Sequence, residues 1–163
     1  MPEQDKTNAM RLLDSCKTVY RIHIFSSEIY SADEVARILG FPTNQVFKTL
    51  VVMPQKGNPL LAIVPGDSEL DLKKLAQIVD AKKLRVATRI EAEALTGLFV
   101  GGISALSLMN KGFRTYIDAS CRLFPDIIVS AGRRGMNLQL SPTDLIRIIK
   151  AQVVDISRPN YSP

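Results

Sequence analysis

The chain has 163 residues, 46% of them hydrophobic, which suits one domain with a substantial core and is short for two. Lys and Arg outnumber Asp and Glu by 21 to 16, a formal charge of +5 that is compatible with a polyanionic partner without requiring one. No apolar run approaches the roughly 18 to 20 residues that cross a bilayer, and the N-terminus lacks a signal-peptide pattern, so no membrane attachment is read and the expected setting is the cytoplasm.

Cys16 and Cys121 form neither a disulfide framework nor a metal-ligand spacing, and the single histidine, His23, supplies no zinc ligand set. A Ser/His or Cys/His pair would have to use that histidine. The sequence indicates no metal and no organic cofactor.

In chain order, Ala9 to Leu13 reads as a short helix capped by Thr7 or Asn8, and Val19 to Ile24 alternates as a strand. Ser31 and Glu34 make a capping-box pattern ahead of a helix whose apolar face is Val35, Ile38 and Leu39, with Gly40 and Pro42 ending it. Val46 to Met53 (VFKTLVVM) is a strand with Val46, Lys48, Leu50 and Val52 on one face and Phe47, Thr49, Val51 and Met53 on the other. After a turn over Gln55 to Asn58, Leu60 to Val64 returns as its antiparallel partner.

Asp71 to Val79 is a helix, Leu84 to Ala87 a short strand, and Thr88 with Glu91 a second capping box, opening a helix that Gly97 closes. Leu98 to Leu108 is apolar and broken by Gly101 and Gly102. Arg114 to Asp118, Ile127 to Ser130 and Met136 to Leu140 are strands, with a tight turn over Ala131 to Gly135 before the last of them. Ser141, Pro142 and Asp144 announce a helix through Lys150, and residues 157 to 163 read as a flexible tail. The whole is expected to be one compact α/β domain, residues 1 to 163, with a curved, mixed and largely antiparallel sheet and surrounding helices.

Three places depart from ordinary core packing. Lys48 lies in an apolar row, where its ammonium must reach water, find an anion or release its proton; at an edge it could simply snorkel. The Gly101 to Ser104 turn can present backbone N–H groups to a carbonyl or phosphate, or it can be a plain bulge. The Ser130 to Gly135 turn presents two guanidinium groups suited to phosphate, or it is a solvated hairpin tip.

Taken in order, VFKTLVV, IVPGDSELDLKKLA, LTGLFVGGIS, YIDAS and IIVSAGRRGMNLQLSPTDL resemble the YbaK/EbsC family of aminoacyl-tRNA editing domains, related to the editing insertion of bacterial prolyl-tRNA synthetases. The resemblance runs from about His23 to Leu145. It implies hydrolysis of the ester that joins a wrong amino acid to tRNA, Cys-tRNA(Pro) or a related small amino acid, with aminoacyl-tRNA as partner and prolyl-tRNA synthetase as a candidate second partner. It also implies that Lys48 is the catalytic residue and that Thr49, Gly101, Gly102, Ile103, Ser104, Ser130, Gly132 and Arg133 bind substrate. A cysteinyl substrate would use its own thiol in place of a protein base.

Ala105 stands where the family often has proline, and Ser107 replaces a common glycine, which bears on pocket width. A non-catalytic tRNA- or synthetase-binding module and a hydrolase of simple aminoacyl esters are the competing readings. No motif encodes the oligomeric state.

Overall fold

The computed structural model describes residues 5 to 160. Where caps and periodicity agree, the expected helices form. Helix α1 (Asn8–Ser15) is capped by Thr7, α2 (Ala32–Leu39) begins at Ser31 and ends on a left-handed Gly40, and the hydroxyl of Ser31 accepts from the Glu34 N–H. Helix α3 (Leu72–Ile78) is capped by Asp71, α4 (Arg89–Thr96) has the reciprocal Thr88/Glu91 capping box and left-handed Gly97, and α5 (Pro142–Ile149) starts at Ser141 with proline in its first turn.

The strands are β1 (Arg21–Ile24), β2 (Phe47–Pro54), β3 (Leu60–Pro65), β4 (Ser68–Leu70), β5 (Leu84–Val86), β6 (Arg114–Asp118), β7 (Ile127–Arg133), β8 (Met136–Leu140), β9 (Gln152–Val154) and β10 (Ser157–Pro159). Five of them form a mixed sheet in the order β5-β2-β3-β6-β9; β1-β8-β7 form an antiparallel sheet, and β10 pairs with β4. A parallel bridge between Val46 and Ile128 ties the entrance of β2 to β7. The expected hairpin is present, with Lys48 opposite Val64 and Leu50 opposite Ala62.

Strand β3 is buried along its whole length because both faces of the central sheet are covered. Phe47, Val51, Leu61 and Ile63 pack on one side with α1, α5 and the β7-β8 hairpin, whereas Val52, Leu60, Ala62 and Val64 pack on the other with Leu75, Tyr116 and Ile156. The two-residue alternation read for β2 therefore separates two apolar cores.

One expectation is corrected at the C-terminus. Ser157 begins a strand and not a tail: Ser157, Arg158 and Pro159 pair with Leu70, Glu69 and Ser68, and the Asp71 N–H donates to the Ile156 carbonyl at 2.7 Å. Residues 161 to 163 of the expected tail lie outside the described residues. Similarly, β7 continues past Ser130 through a bulge to Arg133, so the turn is tighter than the Ala131 to Gly135 stretch. The Leu98 to Leu108 stretch contributes no strand; it runs as turns between α4 and a 3-10 turn at Met109–Lys111.

Candidate active site

A cleft of about 350 Å³ opens between the start of β2, the N-terminal end of α2, the Val100 to Ile103 loop and the β7-β8 hairpin. Lys48, Thr49, Gly101, Ile103 and Ser130 line it together, joined by Tyr30, Asp33, Gly66, Val100, Asn137 and others. Lysine and glycine turn thus share one cavity, although they are more than fifty positions apart in the chain.

Lys48 reaches the cleft because the sheet's second core ends at Leu50 and Val64, leaving the next position of the same face open. It is half-buried, and no ion pair found among the described residues includes it. Burial pulls its pKa below the ordinary lysine value, an effect opposed at longer range by Asp33, Glu69 and Asp67. The result is a cation with incomplete solvation and free donors, suited to an anionic or carbonyl oxygen.

Close backbone approaches build the walls. A Cβ on Gly66 would lie 2.7 Å from the Cβ of Ala32, and the Gly66 N–H donates to the Val46 carbonyl at 2.7 Å, so α2 seats directly on the β2-β3 end. Gly101 has φ +93°, and a side chain there would collide with Tyr30; a Cβ on Gly102 would lie 2.8 Å from the Cα of Arg133. The glycine pair is required because the loop is pressed between Tyr30 and the hairpin.

That compression also sorts the backbone donors. The Val100 N–H is taken by Glu93 Oε2 at 2.8 Å and the Gly102 N–H by the Phe99 carbonyl at 2.7 Å. Among the described residues, the N–H groups of Gly101, Ile103 and Ser104 donate to no backbone carbonyl. Of these three, Gly101 and Ile103 line the cleft.

The other expected site residues occupy different places. Ser104 is buried and lines a second, much smaller cavity of about 10 Å³, with Thr49, Ala105 and Ser130 also on its wall. Ala105, where the resemblance implied a proline, therefore lies behind the cleft and not on its lining. Gly102 and Gly132 line neither cavity. Gly132, at φ +106°, lets the bulge pass Ser107, whose Oγ would sit 2.5 Å from an added Cβ.

Arg133 lies outside the cleft lining: its Nη2 donates to the Asp5 carbonyl at 2.8 Å and contacts Met136 Sδ at 3.7 Å. Its neighbour Arg134 reaches the cleft wall instead. The Arg134 Nε–H donates to the Val100 carbonyl at 2.7 Å, and the guanidinium carbon sits 4.0 Å from the centre of the Tyr30 ring. Its Nη2 is buried and has no hydrogen-bond acceptor among the described residues.

Tyr30 and Asn137 line the cleft without having been singled out from the sequence, whereas Arg134, read there with Arg133 as one of two guanidinium groups suited to phosphate, packs behind the lining on Tyr30 and Val100. Asn137 is 6% exposed and lines the cleft opposite Ser130 in the β7-β8 register. A polar residue at an inward position of a strand is the sequence signal that could have found it.

His23 and the cysteines make no nucleophile-base pair. His23 Nε2 is 2.8 Å from Gln139 Oε1, with the Gln139 amide donating onward to Asp126, and its ring packs edge-on against Phe41 at 5.6 Å. Cys121 is fully buried, and desolvation pushes its thiol up to about 11; Cys16 is exposed on the surface. Neither thiol lines the cleft.

The model of the aminoacyl-tRNA editing domain family matches residues 26–148, which spans every cleft-lining residue named above. The chain belongs to the aminoacyl-tRNA editing domain family. A protein of Enterococcus faecalis named "Putative Cys-tRNA(Pro)/Cys-tRNA(Cys) deacylase EbsC" is 40% identical over 156 residues, covering 94% of each chain. A proline–tRNA ligase of Thermodesulfovibrio yellowstonii is 36% identical over 116 residues, and that match spans 71% of this chain but 19% of the ligase.

Among solved structures, the editing domain superposes on one titled "Crystal structure of a putative trans-editing enzyme for prolyl tRNA synthetase" with a TM-score of 0.79 at 27% identity, covering 93% of this chain and 97% of that one. A hypothetical protein shares the fold at a TM-score of 0.86, with 24% identity and coverage of 93% and 99%. The activity class of this editing domain is aminoacyl-tRNA deacylation. Among its described residues, no helix is long and apolar enough to cross a membrane.

Proposed function

We propose that this editing domain hydrolyses the ester of mischarged tRNA in trans, with Cys-tRNA(Pro) as its first substrate, and that Lys48 is the side chain on which the reaction depends. The observation that carries the reading is the shared cleft: a partly desolvated lysine and a glycine turn, whose Gly101 and Ile103 N–H groups donate to no backbone carbonyl among the described residues, line one cavity. In this reading Lys48 grips the terminal ribose or the ester carbonyl. The N–H groups of Gly101 and Ile103, both on the cleft wall, are then the candidates to hold the oxyanion that develops on the carbonyl oxygen.

No protein thiol or imidazole lines the cleft, which supports attack by the substrate's own thiol. The cysteinyl sulfur forms a bond to the ester carbon, the bond from that carbon to the ribose oxygen breaks, and the thiol proton ends on the released ribose hydroxyl. Water then opens the cyclic thioester to free cysteine. Thr49 and Ser130 sit between the cleft and the smaller cavity, where they bound the space for the amino-acid side chain. Arg133, exposed on the hairpin, is available to backbone phosphate. A prolyl-tRNA synthetase that hands over the misacylated product is the proposed partner, and the cytoplasm the proposed setting.

The test is release of amino acid from Cys-tRNA(Pro) and Ala-tRNA(Pro) by wild type and Lys48→Ala. Loss of one preorganised charge-stabilising donor costs on the order of 100-fold to 1,000-fold in rate, so the variant should be nearly inactive on Cys-tRNA(Pro). Equal turnover by the two proteins would remove Lys48 from the reaction. Faster release of alanine than of cysteine would remove the thiol-assisted route.

A further inference from the structure

Tyr30 and Phe99 are the two exposed aromatic side chains among the described residues, 43% and 68% accessible. Both meet the same group. The Arg134 guanidinium carbon lies 4.0 Å from the Tyr30 ring centre and 5.9 Å from that of Phe99, so one cation holds both rings beside the cleft. Tyr30 lines the cleft itself, and Phe99 immediately precedes Val100 and Gly101, which also line it.

Exposed apolar side chains are common on protein surfaces, so what distinguishes Phe99 is its place next to the cleft-lining Val100 and its contact with Arg134. A flat, open ring beside a site for an RNA-linked ester does fit one ligand feature. The amino acid is esterified to the ribose of the last nucleotide, so a base must lie within one sugar of the reacting carbonyl. Stacking on an aromatic ring is the common way proteins hold an unpaired base, and the cation behind the ring adds polarity to the stack.

We propose that Phe99 is the platform on which the 3′-terminal adenine of the aminoacyl-tRNA stacks while its esterified ribose enters the cleft. The Tyr30–Arg134 pair backs this platform: Arg134 fixes Val100 through its 2.7 Å hydrogen bond and so holds Phe99, the residue immediately before it in the same loop. Phe99 is a positioning residue, remote from the bond that breaks. This inference rests on the deacylase reading, and two separate readouts tell their failures apart.

The binding readout uses uncharged tRNA(Pro) whose terminal adenine is replaced by 2-aminopurine, a base whose fluorescence is quenched on stacking. Wild type should quench it; Phe99→Leu, which keeps apolar bulk over Arg134 but lacks a π face, should not, and Phe99→Trp should. In parallel, Phe99→Leu should raise KM for Cys-tRNA(Pro) about tenfold with kcat within about twofold, and Phe99→Trp should restore KM.

If Phe99→Leu quenches and turns over like wild type, the platform is wrong and the deacylase reading stands. If quenching depends on Phe99 but no mischarged tRNA is hydrolysed by wild type, the base site stands and the deacylase reading falls. A drop in kcat at unchanged KM and unchanged quenching would also overturn the proposal, because it would mark Phe99 as a support for the loop alone.

Discussion

Arg134 donates its Nε–H to the carbonyl of Val100 at 2.7 Å, which locks the β7-β8 hairpin to the residue just before the paired glycines. The same side chain sits over Tyr30, its guanidinium carbon 4.0 Å from the ring centre, and buries an Nη2 that has no acceptor among the described residues. A buried donor is favoured when it finds an acceptor, so this Nη2 is the atom of the contact best placed to gain from a bound ligand or water.

Replacing Arg134 by Lys keeps the charge but removes both the Nε donor and the planar stack. A hydrogen bond from a charged donor contributes roughly 1.5 to 3 kcal/mol to the fold, so the thermal midpoint should fall, and kcat/KM for deacylation should fall severalfold at a temperature where both proteins remain folded. A melting curve beside steady-state kinetics well below both midpoints checks this. Unchanged kcat/KM in the folded variant would contradict a role of Arg134 in shaping the site.

Lys48 carries an opposite sign for stability and activity. Burial lowers its folded-state pKa below the ordinary 10.5, so folding works against the protonated form; that penalty is full at neutral pH and relaxes as pH rises through the folded-state value. Lys48→Met should therefore be inactive yet more resistant to denaturant at pH 7, with its advantage shrinking toward pH 10.5. If the ammonium is the active form, wild-type activity corrected for spontaneous ester hydrolysis should decline at a pH below that of a free lysine.

Asp118 is a carboxylate committed to structure. It is 3% exposed, accepts the Ile156 N–H at 2.9 Å and the Ser120 hydroxyl at 2.5 Å, and so ties the end of β6 to the chain leading into β10. Asp118→Ala should cost about 1 to 3 kcal/mol by leaving a buried N–H unpaired, read from the urea midpoint. Asp118→Asn, which keeps an oxygen for Ile156, should lose less.

Glu91 makes a forked pair with Arg85 at 2.7 and 2.8 Å and also accepts the Thr88 N–H at 3.0 Å. The Arg85 guanidinium first, and the Thr88 N–H next, hold its carboxyl down to about 2 against the usual 4.5. A depressed carboxylate stabilises above its unfolded value and loses that contribution as pH falls toward the folded one. The stability gap between wild type and Glu91→Gln should thus be constant near neutrality and close between about 4.5 and about 2, as acid titration of both proteins would show.

Elements with a local signature were legible. Ser31 with Gly40, Thr88 with Gly97, and Ser141 with Pro142 each place a cap where backbone groups run out of helical partners, and all three helices begin or end there. Strands β4, β9 and β10 were not legible: each has three residues, too few for a period, and each exists because a distant segment pairs with it. In the hairpin, Arg133 and Arg134 are chemically identical in sequence. Only the bulge after Ser130 decides which of them meets Val100 and which meets Asp5.

The sequence by itself determined the family and the two-sided character of β2, because strand alternation is local and puts Lys48 in an apolar row whatever the rest of the chain does. The tertiary structure alone decided which residues share the cleft. Gly101, Ile103, Ser130, Tyr30 and Asn137 come to Lys48 through contacts between segments far apart in the chain, made close by glycines that let main chain touch main chain. Such contacts depend on where whole elements pack, a quantity no short run of residues encodes.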